Sequence, residues 1–161
     1  MAMTMDRIVD GSDQATMLKE NITFKLVSKH KTHKVVEAEY CCFPCIPCGI
    51  CVCSTFELVQ MDHEKEAVMV RYDAKTKMLR NVERHAQSLV LDWDRSSPGT
   101  AVTSWGCRGC PAAAKGYGWD VMSDGSILPE RDHKLAIGYN GSTLIVENRG
   151  SSKIIQFDLK P

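Results

Sequence analysis

The run S-L-V-L-D-W-D-R-S-S-P-G-T-A-V-T-S-W-G-C (Ser88–Cys107) is followed by G-W-D-V-M-S-D-G-S-I (Gly118–Ile127), K-L-A-I-G-Y (Lys134–Tyr139) and I-I-Q-F-D-L (Ile154–Leu159). Each piece reads as a short strand, a turn or an aromatic plug. Within and between them stand Pro98-Gly99, Asp124-Gly125, Asn140-Gly141 and Arg149-Gly150. Asn-Gly and Asp-Gly tolerate positive φ at both central positions, which is the geometry that joins twisted antiparallel strands. Short apolar runs cut by such turns predict an all-β chain.

Working back toward the N-terminus, the same texture continues. Ile22 to Val27 alternates, K-H-K-T-H makes a polar turn, and Val35-Val36 resumes. Ala67 to Tyr72 is a further strand, followed by a turn at Asp73–Lys77 and by Met78-Leu79. Residues 1–20 are polar and Met-rich with weak periodicity, and read as a short N-terminal arm preceding a single domain over 21–161. A chain of 161 residues is long enough to bury one core without staples.

One segment breaks the pattern. Residues 41–53, C-C-F-P-C-I-P-C-G-I-C-V-C, hold six of the eight cysteines with two prolines and a glycine. The prolines argue against a helix or a central strand in its first half, so a loop feeding a strand that starts near Gly49 is expected. Cys45-x-x-Cys48-x-x-Cys51-x-Cys53 and Cys107-x-x-Cys110 have the spacing of thiolate metal ligands, but no second pair follows the first cluster at zinc-ribbon distance. The reading is reduced thiols, with no metal and no cofactor. A weaker likeness, to acylated cysteine loops such as those of phospholipid scramblases, would give membrane contact only if the Cys41 to Cys53 loop is acylated.

Composition bounds the function classes. Twenty basic residues balance twenty acidic ones, which gives no electrostatic reason to expect nucleic acid as a partner. No apolar run approaches the roughly 18 residues of a membrane span or resembles a signal peptide, so a cytoplasmic location is expected. The histidines His30, His33, His63, His85 and His133 all sit in polar turns and read as solvated. No phosphate loop, nucleophile elbow or zinc-protease helix is present in the sequence, and no catalytic residues are assigned.

The strands also recur. Leu135 lies 46 residues after Leu89, and Leu89 lies 54 after Val35, so three units of about 50 residues fill the chain. Trp119 and Phe157 end the second and third units, with Val70 a weak counterpart in the first. Large aromatics at such positions are expected to be structural plugs.

From Leu89 onward the residues resemble the ricin B-type (R-type) lectin family. The likeness rests on Gly99-Thr100-Ala101-Val102-Thr103-Ser104-Trp105-Gly106-Cys107, on Tyr117-Gly118-Trp119 where that family carries glutamine-x-tryptophan, and on the turn Asp124-Gly125-Ser126-Ile127. The resemblance implies a β-trefoil of three repeated units with pseudo-threefold symmetry, working as a non-catalytic carbohydrate-binding module with a glycan as partner. It implies ligand-binding residues at Trp105, as the stacking platform, Lys115 and Tyr117, and at Asp92 where a strand shift or a bulge brings it into the aspartate position. Departures are marked: Val90 and Ala136 stand where the family's sugar-gripping aspartates fall, and Ile155 stands at the last glutamine. The alternative is a trefoil scaffold without sugar binding, acting in protein or membrane contacts through its cysteine-rich loop.

Overall fold

The computed structural model describes residues 18, 22–29, 32–45, 49–84, 87–92, 95–107 and 118–161, with the backbone alone for 39–45, 49–52, 84, 87 and 105–107. Twelve strands follow one another: β1 (Thr23–Ser28), β2 (His33–Cys45), β3 (Gly49–Gln60), β4 (Met69–Asp73), β5 (Met78–Asn81), β6 (Gln87–Leu91), β7 (Val102–Cys107), β8 (Trp119–Val121), β9 (Ile127–Pro129), β10 (Leu135–Tyr139), β11 (Leu144–Asn148) and β12 (Phe157–Lys160). A 3-10 turn, Val82–Arg84, follows β5.

Pairing is antiparallel throughout. The largest sheet runs β12-β1-β2-β3-β7-β6-β5-β4, and a further pairing of β1 with β4 closes it. That closure aligns Thr23 with Arg71, Phe24 with Val70 and Lys25 with Met69. The result is a closed seven-strand barrel, with β12 added as an extra strand along β1 from Lys25–Lys160 to Ser28–Phe157. Closing a sheet on itself removes the unpaired edges that would otherwise template aggregation. Two small sheets, β8–β9 and β10–β11, lie outside this ladder. They are tied to it by the isolated bridges Met78–Gly118 and Ala101–Ile145.

This arrangement corrects the expected β-trefoil. Three equivalent units require three equivalent hairpins. Here β3 pairs with β7 over five positions, Cys51–Cys107 to Thr55–Thr103, which merges the first two hairpins into one sheet. The third hairpin, β10–β11, forms a sheet of its own. The all-β class holds, and β2–β3, β6–β7 and β10–β11 are each pairs of consecutive strands, but the largest sheet, which takes in only the first two, closes as a barrel of different topology.

The core draws on every strand. Phe24 and Leu26 of β1, Val35 of β2, Phe56 of β3, Val70 and Tyr72 of β4, Leu79 of β5, Leu89 and Leu91 of β6 and Val102 of β7 belong to one buried cluster. Trp119, Ile127, Leu135, Ile137, Leu144, Val146, Phe157 and Leu159 complete it from the later strands. Trp119, Phe157 and Val70, the plugs expected at the ends of the three units, are all fully buried within it. Leu18 packs against the same cluster from the otherwise undescribed N-terminal arm.

The cysteine-rich segment corrects a second expectation. Rather than a loop, β2 continues through Pro44 to Cys45, paired with β3 as far as Cys45–Gly49. The reason is position in the sheet. β1 pairs with β2 only at Val27–Lys34, so beyond the irregularity between Glu37 and Tyr40 the far side of β2 is an edge among the described residues. A proline on an edge removes no ladder hydrogen bond.

Two glycines separate turn strain from packing. Gly125 (φ +91°) and Gly141 (φ +93°) both sit in the left-handed region, at the β8–β9 and β10–β11 turns. A Cβ on Gly125 would come within 2.5 Å of the Phe157 carbonyl oxygen, whereas one on Gly141 would meet open space. Gly141→Ala is therefore expected to cost about 1 kcal/mol from backbone conformation alone. Gly125→Ala should cost at least about 1–2 kcal/mol more, because β12 must also shift. Urea denaturation of the two variants checks this; equal losses would remove the packing contribution at Gly125.

Candidate functional site

The sequence singled out the β6–β7 region, and the structure places its parts unevenly. Asp92 directly follows β6. Its N–H donates to the Ala101 carbonyl at 2.9 Å, and its own carbonyl accepts from Arg95 N–H at 3.3 Å. Its side chain is exposed. The backbone is thus fixed while the carboxylate faces solvent. Trp105 lies on β7 opposite Cys53 of β3, and only its backbone is described. Lys115 and Tyr117 lie outside the described residues.

Register gives the geometry of the described pair. Leu91 faces Val102 and Leu89 faces Ser104, so Asp92 stands level with Ala101, four positions from Trp105 on β7. Residues two apart share a face, which puts Ala101, Thr103 and Trp105 on one side of the ladder. At about 3.3 Å per residue the two positions are about 13 Å apart. Thr103, between them, is buried. The structure thus brings Asp92 and the backbone of Trp105 to one ladder.

A second constellation was not read from the sequence. Lys77 Nζ lies 2.9 Å from Asp120 Oδ1 and 3.5 Å from Glu130 Oε2, and His133 Nε2 lies 2.7 Å from Asp120 Oδ2. Three segments supply these groups. Lys77 ends the β4–β5 turn with φ +60°, a conformation non-glycine residues seldom adopt. The Asp73 carboxylate stabilises that turn by accepting from Lys75 N–H at 3.1 Å and Thr76 N–H at 3.3 Å. Asp120 lies on β8, which docks beside β5 when Trp119 N–H donates to the Lys77 carbonyl at 2.8 Å. Glu130 and His133 come from the β9–β10 connection, held by Glu130 N–H donating to the Gly118 carbonyl at 2.9 Å.

Asp120 is the centre of this cluster. Burial pushes its carboxyl up, but hydrogen bonds from Lys77 and His133, aided by their charges, outweigh burial and hold it below the usual carboxylate range. Lys77 is held above its ordinary value by the hydrogen bond to Asp120 and by its charge. Close by, Tyr72 donates from its hydroxyl to the Trp119 carbonyl at 2.9 Å, and burial, with the Asp120 charge adding to it, pushes the phenol up to about 12. His133 was read as a solvated turn residue; it is exposed, yet bound to Asp120. A His–Asp pair orients an imidazole for proton transfer when a hydroxyl or thiol lies next to it. The contacts here lead instead to Lys77 and Glu130, so the arrangement is a polar clamp joining the β4–β5 turn, β8 and the β9–β10 connection.

Inside the barrel lies a smaller polar set. Asn81 Nδ2 donates to Ser104 Oγ at 3.4 Å, and Ser104 stands opposite Ser54. All three are fully buried, and Asn81 Oδ1 and Ser54 Oγ have no hydrogen-bond partner among the described residues. Each such atom costs on the order of 1–3 kcal/mol. Among the described residues no group of three or more histidine, cysteine or acidic side chains is placed to hold a metal, and no helix is long and apolar enough to cross a membrane.

No family model matches this chain, and neither a curated protein nor a solved structure matches it.

The shifted groups predict opposite limbs of pH dependence. The depressed Asp120 carboxyl contributes stability that is present above its unfolded value near 3.8 and lost as pH falls through its lower folded value. Tyr72 is the reverse: its contribution is present below its unfolded value of 10.0 and lost as pH rises toward about 12. Denaturation across pH should therefore show an acid limb that flattens in Asp120→Asn and an alkaline limb that flattens in Tyr72→Phe. Limbs unchanged by both substitutions would contradict these assignments.

Proposed function

We propose that this chain is a non-catalytic binding module that recognises an extended glycan along the β6–β7 ladder. The observation that carries the reading is Asp92, an exposed carboxylate on a backbone fixed at both its N–H and its carbonyl. A fixed carboxylate accepts paired hydrogen bonds from vicinal hydroxyls, and a tryptophan offers a flat apolar surface to the C–H face of a sugar. The span of about 13 Å from Asp92 to the Trp105 position, at about 3.3 Å per residue, fits two or three sugar rings rather than one. Supporting this reading further is the frame: a closed barrel loses little conformational entropy when its surface binds.

A second reading keeps one specific observation. β2 and β3 run 13 and 12 residues, against three to six for the other strands, so this hairpin is the longest feature of the sheet. It suits a scaffold for protein or membrane contacts through the cysteine-rich segment, the membrane case requiring acylation of its thiols. Thioester-specific labelling of the protein from its native cells distinguishes that case.

A glycan array tests the first reading. Binding is expected to oligosaccharides of two or more sugars, to weaken at least about tenfold in Trp105→Ala, a loss of about 1.4 kcal/mol, and to fall in Asp92→Asn. Silence across a broad array, or full binding by both variants, would sink it.

A further inference from the structure

The strand register gathers cysteines that are far apart in sequence. Across β2 and β3, Cys41 stands directly opposite Cys53; across β3 and β7, Cys51 stands directly opposite Cys107. Directly opposed residues of an antiparallel pair share a face, and so do residues two apart on one strand. Cys41, Cys51, Cys53 and Cys107 therefore occupy one face of three adjacent strands. Cys42, opposite Val52, falls on the other face.

Two kinds of thiol chemistry compete for such a face, and distance decides between them. A single tetrahedral metal ion holds its thiolates at about 2.3 Å. Cys41 and Cys107 are two strands and two residues apart, roughly 11–12 Å by strand spacing and rise. One ion cannot collect all four. A disulfide needs Cα atoms about 4.4–6.8 Å apart. Opposed residues in an antiparallel ladder lie about 4.5 or 5.5 Å apart, inside that window in either pairing type.

We propose that Cys41 with Cys53, and Cys51 with Cys107, are two cross-strand dithiols that form a redox-modification site, each closing to a disulfide under a hydroperoxide. In each pair one thiolate attacks a peroxide oxygen, breaking the O–O bond and giving a sulfenic acid and, after protonation, one water. The opposed thiolate then attacks the sulfenic sulfur; the S–S bond forms and hydroxide leaves, taking the thiol's proton as a second water. Two thiols are oxidised by two electrons, and one hydrogen peroxide is reduced to two waters. A thiol reductant reverses the step by exchange. Both bonds share β3, so closure staples β2 to β3 and β3 to β7 on the side of the barrel where the first two hairpins merge. The proposal stands independently of the glycan reading.

The test uses the full chain purified under reductant, treated with hydrogen peroxide, alkylated and mapped without reduction by mass spectrometry. Expected are a peptide containing Cys51 joined to the peptide containing Cys107, and an internal Cys41–Cys53 loop located by fragmentation. Each bond lowers the intact mass by about 2 Da, and thiol reductant restores it. Cys107→Ser should abolish the first linkage and leave the second, and the oxidised wild type should melt several degrees above the reduced protein while Cys107→Ser gains less. Cys107 joined to any other cysteine, thiols that stay reduced, or stoichiometric zinc that blocks oxidation would each overturn the proposal.

Discussion

Trp119 holds this fold together because three strands of the barrel depend on its polar atoms as well as its ring. Its indole N–H donates to the Leu89 carbonyl of β6 at 2.9 Å, its backbone N–H donates to the Lys77 carbonyl beside β5, and its carbonyl accepts from Tyr72 of β4. A fully buried tryptophan removes on the order of 200 Å² of surface from water, but burial alone has no direction. The hydrogen bonds supply direction, fixing where β8 docks on the ladder. From that docking follow the polar clamp at Asp120, the next residue, and the raised phenol of Tyr72 beneath it.

The two charged features differ in what they can offer a ligand. Lys77, Asp120, Glu130 and His133 satisfy one another and tie the β4–β5 turn, β8 and the β9–β10 connection together. Asp92 is tied through its backbone and leaves its carboxylate outward. A binding surface needs groups that are fixed in place without having spent their hydrogen bonds; the Asp92 carboxylate has no side-chain partner among the described residues, and that distinction is what favours Asp92 in the proposed reading.

Local patterns were legible in the sequence to different depths. The strands at Leu89–Leu91 and Leu135–Ile137, the turns at Asp124-Gly125 and Asn140-Gly141, and the burial of Trp119 and Phe157 all follow from alternation, positive-φ residues and aromatic size. The architecture did not follow. The β3–β7 pairing joins residues more than 45 positions apart, Thr55 to Thr103 at the least, and equal spacing of units carries no information about which hairpins merge. Pro44 misled for a related reason, since whether a proline is tolerated depends on whether its strand is an edge. The clamp at Asp120 was invisible because Lys77, Asp120 and His133 lie 43 and 13 positions apart, with no spacing that marks them.

If Trp119 organises β4, β5 and β6, native-state amide hydrogen exchange of Trp119→Phe should register its loss strand by strand. Phenylalanine keeps an aromatic plug but removes the indole donor and leaves a gap beside the Leu89 carbonyl. Protection should fall most at β6, then at β4 and β5, with β10 and β11 least affected. Protection unchanged at β6, or lost uniformly across all strands, would contradict it.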